Sequence, residues 1–280
     1  MIYTKWVVVV VATIISLGSC DHSKPAAIES SILDTKSLRT DSIIISGDAS
    51  DDTIMVGVVP KRVRYNVAFL VMDGTYNTEL TAPFDVFHHT HFREGISAMN
   101  VFTVSEDGRP ICTFEGLEVS VDYSILRDEL PPIDILVIPS AAHHTSSDMN
   151  NKLLIQWIAQ TSADAMYVTS HCDGSFMLAK AGVLDTVVST TFPTDIDLYK
   201  STFPHLKVAK NVYFVHDGKY ITSQGGTRSF EAALYLCEIL YGTKITKQLA
   251  EGLVIDWNLK KMKTDKKVLI ITRTKIDNHG

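Results

Sequence analysis

VTSHCDGSFMLAKAGVL, residues 168–184, holds the strongest signal in the chain. A β-rich run ends at Ser170, Cys172 stands in a tight turn, and Gly174 opens a helix of small and apolar residues. This is the strand–nucleophile–helix order of an elbow, which lifts one side chain above a sheet. A helix N-terminus directly after the thiol is expected to lower its pKa and to aim backbone N–H groups, that of Asp173 first, at a developing anion. Free Cys is more often an inert small hydrophobe. Cys beside His, Asp and Gly at a strand end is not core composition, so Cys172 is the candidate nucleophile.

Around this segment short β runs alternate with helices. The apolar pattern predicts strands at Tyr65–Met72, Met99–Ser105, Asp134–Ile138 and Ala165–Ser170, and one near Val187–Thr190. It predicts helices at Leu80–Phe92, Asn150–Thr161, Gly174–Ala181 and near Asp195–Ser201, then long ones at Arg228–Tyr241 and Ile245–Asp256. Hairpins are expected at Ile111–Tyr123, around Glu115-Gly116, and at Val212–Thr222, turning at Asp217-Gly218. Such alternation gives an α/β fold with a mostly parallel sheet covered on both faces, with ligands at the carboxyl ends of the strands. In VMDGTYNTELTAPFDVF (71–87), Glu79 follows the first strand and should sit over the same sheet edge as Cys172.

Glu79 with TAPFDVF, Cys172 in SHCDGSFMLAKAGVLD, TTFPTDIDLY (190–199) and TSQGGTRSFEAALYLCEILYG (222–242) together resemble the ThiJ/PfpI family. That family lies in the class I glutamine amidotransferase-like superfamily, with isonitrile hydratases and the sensor domains of AraC-type regulators among its relatives. The resemblance covers residues 64–257. It implies a flavodoxin-like three-layer sandwich with a nucleophile elbow, a homodimer, and a Cys–acid pair that maps onto Cys172 and Glu79. In isonitrile hydratases the Cys attacks the substrate carbon while the acid manages the proton, and a protonated Glu79 hydrogen-bonded to a thiolate fits that division of labour.

The chain also departs from the family pattern. Many members carry His in a TTH context where Phe192 stands here. Others place His directly after the Cys, whereas His171 precedes Cys172 and points the opposite way, making it a doubtful base. The usual Gly-Gly turn after the central strand is replaced in IPSAAHHTS (138–146) by Ser140 and Ala141; the Ala141 N–H could still complete an oxyanion hole. His143 or His144 in that loop could replace the missing His, or the loop could be ordinary polar surface. His88, His89 and His91 form a further cluster, but no carboxylate or second Cys is evidently placed with them, so no metal is expected. Asp173 and Gly174 should act through their backbone. Arg228 and Glu231 could cap the late helix or line the cleft. Cys237, between Leu234 and Leu240, reads as core, and Cys112 has no assigned role.

The chain has 280 residues, 45% hydrophobic and 21% charged, with 26 basic and 32 acidic side chains. This excludes a disordered polymer, and the acidic balance argues against binding a nucleic-acid backbone. Four Cys are too few for a disulfide scaffold. No GxGxxG follows a strand and no P-loop occurs, so no organic cofactor is implied. Residues 1–19 read as an export signal: Lys5 precedes an apolar run, Trp6–Leu17, too short to span a bilayer. The run ends in Leu17-Gly18-Ser19-Cys20, which resembles a bacterial lipobox and marks Cys20 for lipidation. Residues 20–60 would be a tether, 61–258 the domain and 259–280 a basic C-terminal tail carrying the strand-like VLIIT (268–272). The expectation is a lipid-anchored cell-envelope protein whose Cys172 hydrates or hydrolyses a small carbon electrophile. The rivals are a non-catalytic ligand-binding or sensing lipoprotein, and a redox or carbonyl-stress protein in which Cys172 is oxidised.

Overall fold

The computed structural model describes residues 65–271, all within the compact unit Val59–Gly280. The signal, Cys20, the tether and residues 272–280 lie outside the described residues. Apolar, β-branched runs form the core strands β1 (Asn66–Leu70), β2 (Asn100–Ser105), β6 (Ile135–Ile138) and β7 (Tyr167–His171). Short strands β3 (Ile111–Cys112), β4 (Glu118–Val119), β5 (Tyr123–Ser124), β8 (Val188–Ser189) and β9 (Lys207–Val208) decorate them. A hairpin of β10 (Phe214–Asp217) and β11 (Tyr220–Ser223) and a final strand β12 (Val268–Ile271) complete the set. The main sheet has eight strands in the order β12-β10-β11-β7-β6-β1-β2-β5, and every neighbouring pair but β10–β11 is parallel.

Helices cover both faces, as a three-layer α/β sandwich requires. On one face α1 (Asn77–His88) and α5 (Arg228–Gly252) bury Phe69, Val137, Phe87 and Leu236. On the other, α2 (Lys152–Asp164), α3 (Gly174–Lys180) and α4 (Ile196–Thr202) pack Leu136, Val168, Ile158, Phe176 and Tyr199. The Asn151 side chain caps α2, accepting from the N–H groups of Leu153 and Leu154. None of the described helices is long and apolar enough to cross a membrane.

Several details differ from the sequence expectation. Helix α1 starts at Asn77, a turn early, and ends in a 3₁₀ turn, His89–Phe92. The β3–β4 hairpin stands apart as its own small sheet, while Tyr123–Ser124 leaves it to pair with β2 at the edge of the main sheet. The two expected late helices form one element broken at Gly242, whose φ of 79° only glycine adopts freely. The segment read as a basic tail carries α6 (Leu259–Thr264), capped by Asn258, and β12, which extends the sheet beside β10. Its apolar run reads as a strand, but an edge strand buries little, and nothing local says that it joins the main sheet.

Past α5 the chain turns through a Schellman motif: Val254 N–H donates to Glu251 and Ile255 N–H to Ala250. Val254 occupies the left-handed position at φ 57° and is 94% exposed. A β-branched residue is strained there with no packing to compensate. Val254→Gly is expected to stabilise the domain by about 1 kcal/mol, a melting temperature about 2–4 °C higher. An unchanged or lower melting temperature would count against the strain.

Candidate active site

Cys172 sits between β7 and α3 at φ 54°, a left-handed conformation that non-glycine residues rarely adopt. Three contacts hold it there. Its N–H donates to the Ser223 carbonyl (3.0 Å), and its own carbonyl accepts from the hydroxyls of Thr191 (3.2 Å) and Ser175 (3.3 Å). Two glycines make room. A Cβ on Gly174 would lie 2.1 Å from the Ile138 carbonyl oxygen, and one on Gly225 would lie 2.3 Å from the Cys172 Cβ. The elbow is thus wedged between the ends of β6 and β11.

Glu79 lies in the first turn of α1 and is buried, where the helix dipole favours an acid. Its Oε1 accepts the Gly226 N–H at 2.7 Å, which ties α1 to the β11–α5 turn across the site. The loop after β1 is stitched to the loop after β6: Thr75 bridges Ala141, Tyr76 N–H donates to Ser140, and Ala142 N–H donates to Gly74. Sequence reasoning placed Cys172 and Glu79 over one sheet edge; here the Glu79 charge acts directly on the Cys172 thiol.

The direction of that action corrects an expectation. The thiol pKa is raised well above its ordinary value, by burial first and then by the Asp173 and Glu79 charges. Contacts from Ser140 and the Asp173 N–H favour the thiolate but do not win. The Ser140 hydroxyl, though fully buried, completes no well-formed hydrogen bond, so its help is a loose contact. A seven-residue α3 cannot offset two nearby carboxylates and a site only 7% exposed at the sulfur residue. The resting group is a neutral thiol.

The histidines go elsewhere. Alternation along β7 turns His171 to the face opposite Val168; it is buried, neither ring nitrogen has a partner, and burial pushes its pKa down to about 3. His144 is buried too, driven to about 3 by burial and then by neighbouring His143. Its Nδ1 accepts the Ala141 N–H at 3.2 Å, so that N–H already serves a side chain of its own loop. His143 is exposed. His88 stacks on Phe84, His91 Nε2 meets the Met99 carbonyl (2.7 Å), and His89 approaches Asp85 (3.8 Å). Among the described residues no three of His, Cys, Asp or Glu converge in a group that could hold a metal ion. Arg228 pairs with Glu231 and lies over the Tyr213 ring, and Cys237 is fully buried.

Tyr76 and Thr191 were not singled out from sequence. The Tyr76 phenol is raised by burial and then by the acidic groups nearby, Cys172, Asp173, Glu115 and Glu79. It packs on Phe114 with ring centres 4.5 Å apart, and Glu115 accepts the Asn77 N–H, so the β3–β4 hairpin forms one lip of the mouth. The only available signal was the position of Tyr76 three residues before Glu79.

A family model described as the DJ-1/PfpI family matches residues 65–239. Among curated proteins, the chain is 26% identical over 175 residues to the HTH-type transcriptional regulator CdhR of Pseudomonas aeruginosa, covering 62% of this chain and 50% of that one. It is 29% identical over 185 residues to the isonitrile hydratase of Pseudomonas putida, covering 66% of this chain and 75% of that one. The chain therefore spans about half the length of the regulator it matches. Among solved structures, Drosophila melanogaster DJ-1beta superposes with a TM-score of 0.57 at 19% identity, over 69% of this chain and 99% of that one. With the elbow, the sandwich and a family model spanning most of the described residues in agreement, the chain belongs to the DJ-1/PfpI family.

Proposed function

We propose that this chain is a cysteine-dependent enzyme that hydrates or hydrolyses a small carbon electrophile, in the manner of an isonitrile hydratase, with Cys172 as nucleophile and Glu79 as its acid partner. The observation that carries the reading is the strained Cys172 backbone held against a Glu79 carboxyl that Gly226 orients. Strain of this kind persists where the surroundings over-determine it, and it clusters at active sites. The likeness to isonitrile hydratase supports the substrate class.

A neutral thiol suits an isonitrile. The sulfur bonds to the terminal carbon while the thiol proton passes by way of Glu79 to that same carbon, giving a thioimidate, R–N=CH–S–Cys172. Water then adds to the carbon and the C–S bond breaks, releasing the formamide R–NH–CHO and the thiol.

Glu79→Gln separates the two roles of the acid. Removing the charge lowers the thiol pKa, so iodoacetamide should label Cys172 several-fold faster at pH 8, while formamide production from an alkyl isonitrile falls by about 100-fold. Both are read by mass spectrometry, with fully buried Cys237 staying unlabelled in the folded protein. Faster labelling with no turnover by the wild type would favour the ligand-sensing reading instead, for which the likeness to CdhR is the supporting observation. The lipid anchor belongs to the same proposal: Cys20→Ala should release the chain from the membrane fraction, and retention there would remove it.

A further inference from the structure

We propose that the Ser140 hydroxyl is the donor that stabilises the oxygen added to the substrate carbon on Cys172, in place of the Ala141 N–H. The inference rests on the enzyme reading above and assigns the group that assists its second step.

The backbone sets the two residues side by side. Strands β6 and β7 are parallel, with Leu136 opposite Val168 and Ile138 opposite Ser170. Leu136, Ile138 and Val168 all pack on the face of the sheet covered by α2, α3 and α4. Carried two residues further, the same register brings Ser140 opposite Cys172, and alternation turns both side chains to that face. The strand ends remain in contact there: a Cβ on Gly174 would lie 2.1 Å from the Ile138 carbonyl oxygen and 3.1 Å from that of Pro139. Ser140 is fixed from its other side as well, because its carbonyl accepts the Tyr76 N–H at 3.0 Å and Ala141 bridges Thr75. The hydroxyl favours the Cys172 thiolate, in agreement with this placement.

Two observations single out the hydroxyl as the donor. It is fully buried and has no hydrogen-bond partner, a costly state for a polar group. The neighbouring Ala141 N–H, by contrast, is taken: His144 Nδ1 accepts it at 3.2 Å, and that ring is itself buried. The loop closes tightly around this bond, the His144 N–H donating to the Ala141 carbonyl at 3.1 Å. The wall after β6 therefore offers an unused donor at Ser140 and a used one at Ala141. A donor whose backbone is already held needs no reorganisation when charge develops beside it. In the thioimidate R–N=CH–S–Cys172, water oxygen bonds to the carbon while one water proton passes by way of Glu79 to the nitrogen. The hydroxyl proton of the resulting R–NH–CH(OH)–S–Cys172 moves to sulfur as the C–S bond breaks, releasing R–NH–CHO and the thiol. Ser140 donates to that oxygen as it gains negative charge on the way to the carbonyl.

The test uses the full chain and an alkyl isonitrile. Ser140→Ala should lower kcat by about 100-fold while KM changes by less than about threefold. Bond formation to sulfur is spared, so whole-protein mass spectrometry should show Cys172 carrying the mass of the isonitrile in a larger fraction of molecules than in wild type. Ser140→Gly removes the hydroxyl by a second route and should accumulate the same adduct. Ser140→Ala breaks no hydrogen bond, so its melting temperature should stay at or above that of wild type. A kcat in Ser140→Ala within about threefold of wild type overturns the assignment. Loss of rate without the adduct also overturns it, since the serine would then act in the first step or in the fold. A wild type that forms neither adduct nor formamide overturns the enzyme reading itself, and the assignment with it.

Discussion

Cys172→Ala is expected to abolish turnover, with formamide production from an alkyl isonitrile at least about a thousandfold below wild type. The Glu79 and Asp173 charges raise the pKa of this sulfur, and looser contacts from Ser140 and the Asp173 N–H favour its thiolate. Alanine keeps the left-handed backbone and removes one buried atom, so the fold should survive with a melting temperature within a few degrees of wild type. Ligand affinity measured by calorimetry should therefore change far less than rate. A Cys172→Ala protein that still forms product at the wild-type rate would end the nucleophile assignment. Retained binding alongside a wild type that never turns over would make the domain a sensor.

Gly225→Ala is expected to be among the most damaging single methyls in the domain. The new Cβ would lie 2.3 Å from the Cys172 Cβ and 2.8 Å from both its Cα and its N, at a φ of +81°. The obstacle is backbone and the chain on both sides is hydrogen-bonded, so no flexible side chain can swing away. Overlap together with a left-handed backbone should cost at least about 3 kcal/mol, a fall of about 6–12 °C in melting temperature. Iodoacetamide labelling of Cys172 should rise at the same time, because the elbow must move outward. A variant that melts with wild type and labels no faster would show that the β11–α5 turn yields more easily than its contacts imply.

The elbow was legible because all of its instructions are local: a β run, one Cys and a glycine opening a helix lie within a few residues. Glu79 was legible for the same reason, following the first strand at a short spacing. What sequence could not supply was depth. The expectation of a lowered thiol pKa counted the helix N-terminus and not the burial around Cys172 or the two carboxylates that share its space. The loop histidines looked interchangeable, yet His144 is folded inward onto the Ala141 N–H while His143 stays outside. Asp173 was read as a backbone donor because the hydroxyl that holds its carboxyl, from Thr191, is brought to it only by the path of the chain. β12 went unassigned to the sheet because the pairing that admits it, with β10, spans more than fifty residues of chain.

The clasp between Glu79 and Gly226 joins residues 147 apart in sequence. Five parallel strands, β1, β2, β5, β6 and β7, more than half of the main sheet, precede Cys172 in the sequence. The carbonyl that seats Cys172, the glycine that wedges it and the N–H that orients Glu79 all come later, from Ser223, Gly225 and Gly226. Until they are in place, the thiol belongs to an unfinished surface. A chain cut short before Ser223 therefore carries the cysteine but none of the contacts from Ser223, Gly225 and Gly226 that seat it.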